Sequence, residues 1–262
     1  MGFFVKAEKN VNIYVEDINP EGEKTILFIH GWPLNHNQYE YQYNVLPGVG
    51  FRCVGLDWRG YGESDRPFNG YNYDRLADDV RAVVDALQLK DVILVGHSTG
   101  GAIAIRYMAR HQGHGVCKLV LIDAAAPDSV PKDIANQFIT DSLNDRPKML
   151  RDVTDMFFFQ YQSGPMTEWF SQLGLVAAGY STAAIMAMLR DENVASDLSK
   201  IHVPTLIIHG THDKVVPFSQ GEKTHSMIAN SQFVPFEFSG HGAFIEEHDR
   251  LNQLLIKFIG EQ

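Results

Sequence analysis

The sequence predicts an α/β protein, a mostly parallel sheet covered on both faces by helices. Three observations carry this. Short β-rich runs alternate with helical patterns along most of the chain. Two of the runs, Ile26-Leu27-Phe28-Ile29 and Val92-Ile93-Leu94-Val95, are continuously apolar, as strands buried on both faces must be. Finally, 45% of the 262 residues are hydrophobic, enough for one large core.

In chain order, strands are expected at Val11–Val15, Thr25–His30, Arg52–Asp57, Asp91–Gly96, Lys118–Asp123, Thr205–Gly210 and Phe233–Phe238. Helices are expected at Tyr73–Leu87, Gly101–Arg110, Gly221–Ile228 and His248–Ile259. From about Pro127 to Lys200 the alternation breaks. That stretch carries only helical patterns, punctuated by Pro131, Pro147, Pro165 and Gly179, and many large apolar side chains. The expected organisation is a core over 1–126 and 200–262, with a helical cap over 127–199 inserted between two strands.

Charge and cysteine usage exclude several classes. Lys and Arg total 22 against 32 Asp and Glu, a net charge of −10, so the basic footprint of a nucleic-acid binder is missing. Cys53 and Cys117 lie in apolar runs and read as small buried hydrophobes, not as a disulfide framework. No run approaches the roughly 18 apolar residues of a membrane span, and the apolar start at Met1–Lys6 is too short for a signal peptide. A reducing cytoplasm is the expected compartment.

The sharpest local signal is Gly96-His97-Ser98-Thr99-Gly100, directly between a strand and a helix. A serine at such a turn needs strained dihedrals, and the flanking glycines let the backbones pass closely. The helix behind it offers free N–H groups and a positive dipole end to a developing anion. Because a serine hydroxyl is a weak nucleophile, it needs a base and an orienting acid. His241, in the short loop Ser239-Gly240-His241-Gly242 after the last strand, is the candidate base. His111, His114, His225 and His248 read as helix residues, His97 as a packing neighbour of the turn, and His30 as a loop holder. Asp213 follows the strand Thr205–Gly210, and Asp123 ends the strand before it. Loop geometry and the chain order serine, acid, histidine favour Asp213, with Asp123 as the rival. His209 and His212 beside Asp213 match no metal-ligand spacing, so no metal is expected. For a second oxyanion donor, the loop His30-Gly31-Trp32-Pro33 supplies the Trp32 N–H beside that of Thr99, since Pro33 has none.

With these residues in view, the chain resembles the α/β-hydrolase superfamily over its whole length. His30-Gly31-Trp32-Pro33, Asp57-Trp58-Arg59-Gly60-Tyr61-Gly62-Glu63-Ser64 and Gly96-His97-Ser98-Thr99-Gly100-Gly101 are similar to the cofactor-free haloperoxidase, arylesterase and γ-lactamase group. The resemblance implies an eight-stranded, mostly parallel sheet flanked by helices, an inserted helical cap, and no cofactor. It also implies hydrolysis of small carboxylic esters through an acyl-enzyme on Ser98, with His241 as base and Asp213 as its orienter. Relatives with a proline at the position of Pro33 are associated with perhydrolysis, and lactonase or γ-lactamase side activity belongs to the same group. Haloalkane dehalogenases and epoxide hydrolases are disfavoured because they carry an aspartate where Ser98 stands. Carbon–carbon bond hydrolases share the serine but have a more glycine-rich oxyanion loop. Receptors built on this fold form a further alternative, because they retain the triad while turning over slowly or once. The expected partner is a small-molecule ester, in a pocket lined by Trp32, Phe157, Phe158, Trp169 and Val215 together with Met156. Substrate identity and oligomeric state are not encoded in any motif.

Overall fold

The computed structural model describes residues 1–260, so residues 261 and 262 of the expected core lie outside it. Eight strands form one sheet in the order β1-β2-β4-β3-β5-β6-β7-β8. They are β1 (Gly2–Glu8), β2 (Val11–Ile18), β3 (Lys24–Ile29), β4 (Phe51–Leu56), β5 (Val92–His97), β6 (Val116–Ile122), β7 (Thr205–Gly210) and β8 (Ser231–Phe236). The hairpin of β1 and β2 runs antiparallel, and β2 meets β4 antiparallel. All remaining pairings are parallel, with Leu27 of β3 level with both Val54 of β4 and Leu94 of β5.

The burial of these strands explains why they form. Leu27, Ile29, Val92, Leu94 and Val95 are completely buried, each contributing about 2 kcal/mol by removal from water. The fully apolar runs therefore sit at the sheet centre, where helices cover both faces. Two differences from the sequence expectation arise at the edges. Strand β1 was not expected, because only Val5 of its seven residues is fully buried and an exposed edge strand carries little apolar pattern. Strand β8 lies two residues earlier than expected, ending at Phe236 and leaving Phe238 exposed.

Strand order also positions the site. From β3 the chain passes to β4 on one side, then returns to place β5 on the other, so the order reverses between β3 and β5. A crevice must open beyond the carboxyl ends of these two strands, which is where ligands bind in open α/β sheets. His30-Gly31-Trp32 follows β3, and Ser98 follows β5.

Between β6 and β7 lie four helices, Lys132–Asn144, Arg146–Phe157, Gly164–Leu175 and Gly179–Asp191, and the single turn Ala195–Leu198. Side chains of the sheet region tie to this stretch by hydrogen bonds to its backbone. Trp32 Nε1 donates to the Thr182 carbonyl at 3.0 Å, and Asn35 Nδ2 donates to that of Leu173 at 3.0 Å. Among the described residues no single helix is long and apolar enough to cross a membrane.

Candidate active site

Ser98 adopts φ 51° and ψ −120° directly between β5 and the helix Thr99–Arg110. A positive φ is costly for a serine, and it persists because the surroundings over-determine it. The Ser98 N–H donates to the Ile122 carbonyl at 2.9 Å, pinning the turn to β6. A Cβ at Gly96 would lie 2.5 Å from the Gly100 carbonyl oxygen, and one at Gly100 would lie 2.3 Å from that of His30. Glycine is therefore required at both positions for the elbow to close.

The loop after β3 packs on this turn, where a Cβ at Gly31 would lie 3.1 Å from Ser98 Cβ. The Gly31 N–H is spent on Gln38 Oε1 at 2.8 Å, and the turn closes through the Leu34 N–H donating to the Gly31 carbonyl at 2.9 Å. The Trp32 N–H and the Thr99 N–H have no acceptor among the described residues. His30 serves the loop as expected. Its Nδ1 lies 3.0 Å from the Gly31 carbonyl, its Nε2 accepts from the Trp58 N–H at 3.2 Å, and its ring stacks on Trp58. Burial depresses the His30 pKa to about 4, so the ring is neutral and can accept that bond.

His241 is fully buried, with Nδ1 2.7 Å from Asp213 Oδ2. The Phe157 ring lies edge-on to the imidazole at 4.6 Å between centroids, the His97 ring sits at 4.7 Å, and the His241 N–H donates to the Phe157 carbonyl at 2.7 Å. The far nitrogen, Nε2, is buried without a hydrogen-bond partner. The imidazole is thus held through Nδ1 and its ring faces while Nε2 stays free.

Asp213 is held in turn. Its Oδ1 accepts from the Val215 and Val216 N–H groups at 2.7 and 2.8 Å, and its Oδ2 also lies 3.4 Å from His209 Nε2. Burial works to raise its pKa, but the charge of His241 and the hydrogen bonds from both imidazoles outweigh it and hold the carboxyl below its ordinary range. Of the two acids that the sequence offers, Asp213 is the one at hydrogen-bond distance from Nδ1. Asp123 directs Oδ1 to the Gly210 N–H at 2.8 Å instead.

A cavity of about 110 Å³ opens at Ser98, bounded by Trp32 and Thr99 on the core side. Trp32, Met156 and Val215 line it as expected. Phe157, Phe158 and Trp169 do not. Phe157 is consumed in packing on His241 and Phe170, Phe158 packs on Phe170 and lies against Gly242, and Trp169 faces an outer groove beside Tyr41 and Met166. Their place is taken by Val130, Ile134 and Phe138, with Met186 and Leu189 from the helix Gly179–Asp191. Ile134 and Phe138 lie one turn apart on the helix Lys132–Asn144, an apolar pair visible in the sequence, and Val130 lies just before that helix.

The fold and this arrangement define a class. A family model described as alpha/beta hydrolase fold matches residues 24–248, and the chain belongs to that family. Within it the chain is 48% identical to the AB hydrolase superfamily protein YisY of Bacillus subtilis (strain 168), over 98% of this chain and 99% of that one. It is 31% identical to the bifunctional esterase/perhydrolase DCH of Acinetobacter calcoaceticus, over 98% and 99% of the two chains. Among solved structures, an esterase from Exiguobacterium antarcticum superposes with a TM-score of 0.96 at 39% identity, covering 100% of both chains. The resemblance to the haloperoxidase and esterase group of the superfamily therefore holds, and the chain is a hydrolase.

Proposed function

We propose that the chain is a serine hydrolase of small carboxylic esters, with residues 127–199 acting as a cap over the pocket. The observation that carries this is His241, clamped by Asp213 with its Nε2 buried and unpartnered, and tied beside the strained Ser98 turn by its carbonyl, 2.9 Å from His97 Nε2. Ser98 Oγ attacks the ester carbonyl while His241 Nε2 takes its proton, and Asp213 stabilises the imidazolium. The tetrahedral oxyanion accepts from the Trp32 and Thr99 N–H groups. Collapse expels the alcohol, which leaves with the proton from His241. Water then attacks the acyl-enzyme, giving up a proton to His241, and the acid departs as Ser98 regains that proton. No cofactor takes part in these steps, and free Cys53 and Cys117 accord with a reducing, cytoplasmic setting.

Turnover separates this reading from that of a receptor. With p-nitrophenyl acetate, release of many equivalents of p-nitrophenol per chain is expected. A burst of one equivalent followed by arrest would refute catalysis. The apolar, small cavity supports short acyl chains, so rates should fall along a p-nitrophenyl series of increasing acyl length.

A perhydrolase side activity has its own support in Pro33, which follows the Trp32 donor in the turn and restricts the backbone there. Hydrogen peroxide would replace water at the acyl-enzyme, delivering one proton to His241 and leaving as the peracid. Pro33→Leu should lower the ratio of peracid to acid formed from an acetate ester while ester turnover persists. An unchanged ratio would remove Pro33 from the explanation.

A further inference from the structure

Behind the triad lies a cluster that these steps leave unused. Asp123 directly follows β6 in a left-handed conformation, φ 46°, and is fully buried. Its Oδ1 is satisfied by the Gly210 N–H at 2.8 Å, but its Oδ2 has no partner. Polar atoms of Asp123, His97 and His241 lie within 4.8 Å of one another, as do those of Asp123, His209 and Asp213. The titratable groups facing Asp123 are His97 from β5, His209 from β7, Asp213 and His241 from the loops beyond β7 and β8, and Tyr39 from the helical turn His36–Tyr39.

Two carboxylates in one buried site resist ionising together. Asp213 keeps its charge because His241 and His209 both bind it. A backbone turn in a disfavoured conformation and a carboxyl oxygen left without a donor are expensive for a merely structural residue.

We propose that Asp123 is a positioning residue for His241, the second carboxylate of a buried acid–imidazole cluster that shares with Asp213 the charge of the imidazolium. The inference rests on the Ser98–His241–Asp213 reading. Burial first, and the charge of Asp213 with it, push the Asp123 pKa up to about 7. Below that pH Asp123 keeps its proton and contributes no charge. Above it the proton passes to solvent, and a second negative charge stands beside His241 whenever that ring takes the proton of Ser98 or water. Proton transfer to His241 is then favoured in both halves of the reaction.

Asp123→Asn preserves the volume and an acceptor for the Gly210 N–H while removing the ionisation. Its kcat/KM on a p-nitrophenyl ester, relative to the unaltered chain, should fall about tenfold at about pH 9 and by a several-fold smaller factor at about pH 6. An equal loss at both values, or none at either, would make Asp123 a structural acceptor and overturn the proposal. Should the variant fail to fold, difference infrared spectra of the unaltered chain decide the matter. A protonated-carboxyl stretch that disappears as pH rises through about 7 is expected, and its absence would equally overturn the proposal. Failure here is distinct from failure of the serine mechanism, which would appear as undiminished turnover in Ser98→Ala.

Discussion

Two of the buried histidine–aspartate pairs share nearly the same Nδ1–carboxylate distance in different surroundings. In one, His36 Nδ1 lies 2.9 Å from Asp57 Oδ1, which also accepts the His36 N–H at 2.7 Å. The other Asp57 oxygen accepts the Glu63 N–H at 2.9 Å, and the backbone carbonyl accepts from Ser64 Oγ at 2.6 Å. Asp57 thus ties the loop after β4 to the turn after β3 through His36 and braces that loop internally through Glu63 and Ser64. In the other pair, His241 and Asp213, the carboxylate is equally well held, but the imidazole keeps a buried, unpartnered nitrogen. A short His–Asp contact therefore identifies nothing by itself. A base also needs a ring nitrogen left free on the side away from its carboxylate, and His241 keeps its Nε2 so.

The most severe test of that contrast is on the nucleophile. Ser98→Ala should lower kcat for a p-nitrophenyl ester by about 10⁶, and retention of more than about a thousandth would dismiss the assignment. Next comes Asp213→Asn, expected to reduce kcat by roughly 10⁴ through loss of the correct His241 tautomer, with little change in thermal unfolding.

Asp57→Asn should behave in the opposite sense. An asparagine presents an amide where the loop offers donors, so stability should fall by about 3 kcal/mol in urea unfolding, while kcat/KM stays within about threefold. The pH dependence sharpens this. The hydrogen bond and charge of Asp57 outweigh burial and raise the His36 pKa above its ordinary 6.5, so its contribution is full below that value and is lost as pH rises through the folded one. Asp57 is lowered, burial being outweighed by His36, so its contribution is lost only as pH falls well below the ordinary carboxylate range. The unaltered chain should thus lose more stability than the variant between about pH 6 and about pH 8. Parallel curves would show that the pair is not charged in the folded state.

The smallest expected effect lies in the pocket. Phe138 lines the cavity, whereas Phe157 supports His241. Phe138→Ala should raise the hexanoate-to-acetate ratio of kcat/KM by about tenfold with the acetate kcat nearly kept. Phe157→Ala should lower kcat for both esters alike. Equal behaviour of the two variants would erase the distinction between lining and support.

Some of this was legible before any coordinates, for a local reason. The Ser98 turn is encoded within five residues, since its glycines are needed to pass the Gly100 and His30 carbonyls, and the central strands declare themselves by unbroken apolar runs. His241 was legible as the one histidine in a glycine-flanked loop after a strand. The choice between Asp123 and Asp213 was not closed by the sequence, because both end or follow adjacent strands. Only the packing of β6 against β7 sets one carboxylate 2.7 Å from Nδ1 and turns the other to the Gly210 N–H. The same limit applied to the helical stretch between β6 and β7. Composition declared an apolar stretch, yet which aromatic faces the substrate depends on how four helices rotate against one another and against the sheet. That rotation sends Phe157 under His241 and Phe138 into the cavity, and no local pattern distinguishes two phenylalanines whose helical stripes are both apolar. Residue chemistry and short-range sterics thus determined the central strands, the elbow and the candidate base. Long-range packing decided which carboxylate meets His241, the pocket walls and the buried cluster around Asp123, because each is made of atoms brought together from segments distant along the chain.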